Sequence, residues 1–242
     1  MVSRIDIAMV PAEASVLEPA DAYVVIDTLR ATTTIAALFA GGIQRLRVVT
    51  RLEAAFQAKS KSGALLFGEV GGLPPAGFDF GNSPVEAEGL DVRGRDAILM
   101  TSNGTKALCA VAGLGPTATG ALVNVSEVAA WAASADSVVL VCAGNHGARA
   151  FSLEDFAVAA AIVKRLVAAS PAVALGDAGR LALTTDDPAR LIRNAEHAGV
   201  IRGLGLGRDV EFATDADRAT SLPVVLEFGD GWAVLEDRRA AG

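Results

Sequence analysis

The sequence has little from which to build a cross-linked, zinc-centred or cationic protein. Only two of its 242 residues are cysteine, Cys109 and Cys142. Both sit in apolar surroundings, and two are too few for the disulfide framework of a secreted scaffold, so a cytoplasmic compartment is expected. The two histidines, His146 and His197, show no paired-ligand spacing, which disfavours zinc. A net charge of −7 argues against the broad basic surface needed to hold nucleic acid or an anionic membrane non-specifically. A small anionic substrate held by local donors is still allowed. No apolar run reaches the ~18 residues that span a bilayer, and Met1-Val2-Ser3-Arg4-Ile5-Asp6 lacks the basic-then-apolar pattern of a signal peptide. No linker, repeat or low-complexity segment interrupts the chain, so residues 1–242 read as one domain with a large core. Either a monomer or a homo-oligomer fits this composition.

What is present is a succession of strand-then-helix units. Arg4 to Val10 alternates like a strand and stops at Pro11. Ala22 to Ile26 is apolar on both faces, as in a central strand covered by helices. A helix is expected from about Ala31 to Ala40, ending at Gly41-Gly42. Arg45 to Val49 reads as a strand, Leu52 to Lys61 as a helix and Ala64 to Phe67 as a buried strand. Further on, the strand Asp96 to Met100 leads through Thr101-Ser102-Asn103-Gly104-Thr105 into a helix from Lys106 to Ala112. Thr117 to Leu122 and Ser137 to Cys142 read as strands with a helix from Ser126 to Ala133 between them. A long helix follows from Leu153. Beyond Pro171 the pattern weakens: Asp186 to His197 looks helical, and Arg208 to Glu211 looks like a polar stretch. Alternate glycines from Gly203 to Gly207 follow no strand, which argues against a dinucleotide fingerprint. Leu222 to Phe228 and Trp232 to Leu235 form an expected hairpin around Gly229-Asp230-Gly231.

The chemistry gathers where strands end. Asp27 to Thr34, Asp-Thr-Leu-Arg-Ala-Thr-Thr-Thr, follows the first buried strand. Asp27 there could hold a cation and Arg30 an oxyanion, although Asp27 or a threonine could equally cap the helix. The glycines and prolines of Gly68 to Pro75 form a shaped loop around Glu69. Asn82, Ser83 and Pro84 are good helix-start chemistry. The Thr101 to Thr105 turn suits an oxyanion cradle but is not a Walker loop. Ala143-Gly144-Asn145-His146-Gly147-Ala148-Arg149 follows the most apolar strand. Ser152 and Asp155 then resemble a capping box, which leaves Glu154 without a structural purpose. If the strands are parallel, these clusters share one edge of the sheet. Several carboxylates with arginines, amides and helix N-termini suit Mg²⁺ and an anionic, phosphorylated small molecule.

Five of these segments, in this order, resemble the 2-phosphosulfolactate phosphatase (ComB) family: Asp27 to Thr34, Gly68 to Gly72, Phe78 to Pro84, Thr101 to Thr105, and Cys142-Ala-Gly followed by Phe151 to Asp155. The segment Gly207-Arg208-Asp209-Val210 is similar too. The resemblance spans most of the chain. It implies a Mg²⁺-dependent acid phosphatase that hydrolyses 2-phospho-3-sulfolactate to sulfolactate and phosphate, a step of coenzyme M biosynthesis. It also implies an α/β fold of three layers, α/β/α, with a mixed, largely parallel sheet.

Within that frame, chemistry assigns the roles. Asp27, Glu69 and Glu154 are expected to surround Mg²⁺, directly or through water, with Asp155 as a further ligand. Arg30, Asn103, Gly104 and Thr105 are expected to bind phosphoryl or sulfonate oxygens, with Asn82, Ser83, Gly144 and Arg149 as further substrate contacts. Water activated by the metal would attack phosphorus in line, a carboxylate or His146 assisting proton transfer. An aspartyl-phosphate route needs a second aspartate where Leu29 stands. A cysteine route needs five residues between cysteine and arginine, whereas Cys142 and Arg149 enclose six. The alternatives are a Mg²⁺ phosphatase of another phosphorylated hydroxy acid, or a small-anion-binding module without turnover.

Overall fold

Alternating apolar side chains divide each central strand between two helical layers. The structure, a computed structural model, describes residues 1–241. After β1 (Arg4–Ala8), all five residues of β2 (Ala22–Ile26) are buried. Ala22, Val24 and Ile26 enter one core, and Tyr23 and Val25 the other, as a doubly covered strand requires. The chain continues through α1 (Ala31–Ala40), β3 (Arg45–Val49), α2 (Leu52–Ser62), β4 (Leu65–Gly68), α3 (Pro84–Glu88), β5 (Asp96–Met100) and α4 (Gly104–Val111). Next come β6 (Thr117–Gly120), α5 (Val125–Ala132), β7 (Ser137–Cys142) and α6 (Leu153–Ala169). Helices α5 and α6 cover the first core, α1 and α4 the second. Helix α2 packs on β4 and β5 through Ala55, Leu66 and Ile98. This is the expected three-layer α/β/α arrangement. The first strand is shorter than its apolar alternation suggests, because Pro11 opens a 3-10 turn and the Glu13 carboxylate takes the Met9 N–H.

The last third departs most from expectation. It contains β8 (Ala174–Leu175), α7 (Asp177–Leu183), α8 (Pro188–Asn194), α9 (Glu196–Gly203), α10 (Gly207–Ala213), β9 (Pro223–Gly229) and β10 (Trp232–Asp237). The single helix expected over 186–197 is two. Asp187 caps α8, and Ala195 is extended, with ψ 147°, so the chain turns before α9. The supposed polar stretch at 208–211 is helical, and Asp209, Val210 and Phe212 are buried in it.

The ten strands lie in the order β4-β5-β3-β10-β9-β6-β2-β7-β1-β8. The expected C-terminal hairpin forms, and it lies in the middle of the sheet. It is antiparallel to β3 on one side and to β6 on the other. The parallel block β4-β5-β3 therefore runs opposite to the block from β6 to β8. A flat sheet in this order would put the two sets of strand ends on opposite edges. The observed sheet is not flat, since the loops after β2 and β4 meet, Arg30 donating to the Gly72 carbonyl; the hairpin between the two blocks carries a bulge between Val234 and Leu235, and β9 meets β6 at Ala118 and Val224. Among the described residues no helix is long and apolar enough to cross a membrane.

Candidate active site

Asp27 leaves β2 as the chain turns toward α1, and two helix starts meet around it. The Ala31 N–H of α1 donates to its Oδ1 at 3.2 Å. Oδ2 faces the start of α4, where a Cβ added to Gly104 would lie 2.5 Å from it and 2.6 Å from the Ala31 Cβ. Asp27 thus acts as a cap and as a buried anion at once. Burial is the main reason its carboxyl is pushed up to about 7; the nearby Glu69 and Glu154 add to this, while the Ala31 and Gly104 N–H groups oppose it. The three threonines that follow serve the backbone: Thr32 Oγ1 donates to the Asp27 carbonyl, Thr33 Oγ1 to that of Thr28 and Thr34 Oγ1 to that of Asn82. Because only a hydrogen fits at Gly104, Gly104→Ala is expected to destabilise the protein by about 1–3 kcal/mol. It should also displace the Asp27 carboxylate and lower activity about tenfold, ~1.4 kcal/mol of barrier. Chemical denaturation and phosphate release measure the two effects.

Glu69, just after β4, is held by three donors. The Gly72 N–H donates to Oε2 at 2.8 Å, the Ser102 N–H to Oε1 at 2.6 Å, and Ser102 Oγ lies 3.3 Å from Oε2. Ser102 and Glu69 thereby join the loop after β5 to the loop after β4. Asp155 is committed differently. The Thr28 N–H donates to its Oδ1 at 2.8 Å and the Gly144 N–H to its Oδ2 at 3.1 Å, while Ser152 Oγ accepts its own N–H. Asp155 therefore ties the β2 and β7 loops together. Its carboxyl is pushed well above the usual range, first by burial and then by Asp27 and Glu154. Glu154 is 3% exposed and contributes to the negative field at both aspartates.

Arg30, following a cis Leu29–Arg30 peptide, forms a buried ion pair with Asp209 of α10. Its NH1 donates to Oδ2 at 2.7 Å and its NH2 to the Gly72 carbonyl at 2.6 Å. Ser83 Oγ donates to the other Asp209 oxygen at 2.6 Å and also caps α3, accepting the Glu86 N–H. In the sequence Asp209 is marked only by its place in the Gly207–Val210 similarity. Asn82 is 3% exposed, and its Oδ1 has no hydrogen-bond partner.

A cavity of about 190 Å³ collects part of this set. Asp27, Arg30, Glu69, Asn82 and Asn103 line it, joined by Ser102, by the Gly71-Gly72 backbone and by one face of α9. Other expected contacts lie outside its lining. Thr105 and Thr101 exchange hydrogen bonds at the start of α4, and Gly144 serves Asp155. His146 is exposed in left-handed backbone at φ 53°, and Arg149 is exposed in the same loop. That loop is pinned to the site by Asn103, whose Oδ1 accepts the Gly147 and Ala148 N–H groups. The histidine that does line the cavity is His197. No sequence signal marked it, since α9 follows no strand.

Among the described residues no three His, Cys, Asp or Glu side chains converge on one point closely enough to share an ion. Mg²⁺ does not need that, because it is usually held by one or two carboxylates with water and phosphate oxygens completing its shell. Asp27 and Glu69 in one cavity, with Glu154 nearby and Arg30 already paired, leave buried negative charge that a divalent cation would neutralise. The donor set therefore fits Mg²⁺. Cysteine chemistry fits poorly: burial pushes the Cys142 thiol well above its usual range and Cys109 to about 12, which keeps both unreactive.

A family model described as 2-phosphosulpholactate phosphatase matches residues 9–227. The chain is similar to a probable 2-phosphosulfolactate phosphatase of Carboxydothermus hydrogenoformans, 36% identical over 243 residues and 98% of each chain. A protein of the same description from Thermotoga petrophila is 36% identical over 208 residues, 84% of this chain and 88% of its own. Another, from Deinococcus radiodurans, is 36% identical over 218 residues, 87% and 90% of the two chains.

Proposed function

The chain belongs to the 2-phosphosulpholactate phosphatase family, and from that membership we propose that it hydrolyses 2-phospho-3-sulfolactate to 3-sulfolactate and phosphate with Mg²⁺ at Asp27. It is then a cytoplasmic phosphoric monoester hydrolase catalysing a step of the coenzyme M biosynthesis type. The observation that carries this reading is the cavity that places the Asp27 and Glu69 carboxylates beside Arg30 and the Asn103 amide.

The side chains divide the work by charge. Asp27 and Glu69 mark the cation end, with Glu69 oriented by Gly72 and Ser102. Glu154 reinforces the field there, directly or through water; Asp155, with both oxygens committed to backbone N–H groups, acts more as a brace than as a ligand. A bound Mg²⁺ supplies Lewis acidity toward the phosphoryl group and the attacking water. Arg30 keeps further N–H groups beyond those engaged by Asp209 and Gly72, and these meet a phosphoryl oxygen. The Asn103 Oδ1 is engaged by the 147–148 backbone, which leaves its Nδ2 donors for the substrate. The proton of the attacking water passes to a cavity carboxylate, since His146 is exposed on its loop.

Phosphate release from a panel of phosphate esters, with Mg²⁺ and with excess chelator, tests this reading. Hydrolysis of 2-phospho-3-sulfolactate in preference to other phosphorylated hydroxy acids, lost in chelator, is the expected result. Preference for another ester would move the substrate. Calorimetric binding without phosphate release would make the protein an anion-binding module. Turnover that persists in chelator and is abolished by thiol alkylation would move the chemistry to cysteine.

A further inference from the structure

We infer that His197 on α9 receives the sulfonate of the substrate and is the residue that sets specificity for it; this rests on the phosphatase reading above. His197, Val200, Ile201 and Leu204 fall at i, i+3, i+4 and i+7, one face of a helix, and all four line the cavity that contains Asp27 and Glu69. The other three are apolar, so the imidazole is the one hydrogen-bond donor that this wall presents.

Among the remaining polar groups of the cavity, the donors still free on Arg30 and Asn103 serve the phosphoryl oxygens, and the unpartnered Asn82 Oδ1 is an acceptor, not a donor. Asp27 and Glu69 are carboxylates that repel an anion unless a cation intervenes. Arg30 is held toward Asp209 and the Gly72 carbonyl. Ser102 gives its N–H and hydroxyl to Glu69. A substrate whose phosphoryl group lies at the carboxylate end therefore needs a separate donor for the sulfonate on the adjacent carbon. Imidazole offers an N–H in either protonation state. The apolar side chains around it suit a sulfonate, whose charge is spread over three weakly hydrated oxygens.

The distance between the two ends of the cavity is set by packing. A Cβ on Gly72, which has φ +86°, would lie 2.5 Å from Leu204 Cδ1. Gly72 also donates its N–H to Glu69 and accepts from Arg30. The same glycine thus touches the α9 face, the metal-end carboxylate and the arginine. His197 stands two turns along α9 from that contact.

The test compares phosphate release from 2-phospho-3-sulfolactate with that from 2-phospholactate, which lacks only the sulfonate, for wild type, His197→Ala and His197→Gln. The ratio of kcat/KM for the two esters is expected to fall about 10- to 100-fold in His197→Ala, the loss of a hydrogen bond to a charged group. The fall should come mainly through KM, and His197→Gln, which keeps a donor, should recover part of it. Proportional losses on both esters, or no loss, would overturn the assignment. If wild type releases phosphate from neither ester, the phosphatase reading fails separately. Calorimetry with 3-sulfolactate and lactate then decides the inference: His197→Ala should weaken only the former, and wild-type binding of both equally would refute it.

Discussion

Asp27→Asn is expected to lower phosphate release on the order of a thousandfold, the scale of removing a preorganised electrostatic group, while stabilising the metal-free protein. The carboxylate and the amide have nearly the same shape, so the first turns of α1 and α4 keep their neighbour. What changes is charge. In the folded chain the Asp27 carboxyl is raised from 3.8 to about 7, so folding favours its protonated form. Below about pH 4 both folded and unfolded chains are protonated there and nothing is lost. As pH rises from 4 through 7 the unfolded chain ionises first, and stability falls by on the order of 4 kcal/mol if ionisation is complete. The asparagine variant should lack this fall. Mg²⁺ should raise the wild-type melting temperature through linkage and leave the variant's nearly unchanged. Thermal unfolding at pH 5 and 8, with and without Mg²⁺, measures both effects. Near-normal turnover in the variant would remove Asp27 from the reaction.

Asp209→Ala should have the largest effect on stability, about 3–5 kcal/mol. The Arg30 and Asp209 side chains are each 2% exposed, so deleting the carboxylate leaves a guanidinium buried without its counter-charge and Ser83 Oγ without its acceptor. Arg30 would also lose its orientation toward the cavity, and activity should fall with it. Replacing both partners, Arg30→Met with Asp209→Leu, should be less destabilising than Asp209→Ala alone, because no charge is then left unpaired, yet it should not recover turnover. Urea unfolding of Arg30→Met, Asp209→Leu and the double variant closes the cycle. A double variant whose loss equals the sum of the singles would mean that the two side chains act independently.

Much of the scaffold was legible because it is written in local patterns. The all-apolar run Ala22 to Ile26 requires cover on both faces, and Gly41-Gly42 stops α1 where expected. Ser83 and Ser152 cap the helices their positions announce. The hairpin was legible too, though not its place in mid-sheet, which depends on which edges β3 and β6 leave open. The break at Ala195 carries no glycine or proline signal at the break itself. The expected polar stretch at 208–211 is helical because Val210 and Phe212 find core positions that no local window contains.

By itself the sequence determined the βα units, the polar turns that end them and the family to which the chain belongs, all of which rest on residues close in the chain. Only the tertiary structure decided which polar residues meet. Arg30 finds Asp209 across 179 positions and the Gly72 carbonyl across 42, while Ser102 reaches Glu69 across 33. It likewise brought His197 to the cavity and left His146 exposed. Those pairings join segments that the strand order and loop packing bring together, and a carboxylate or imidazole carries no local preference for the partner it will meet.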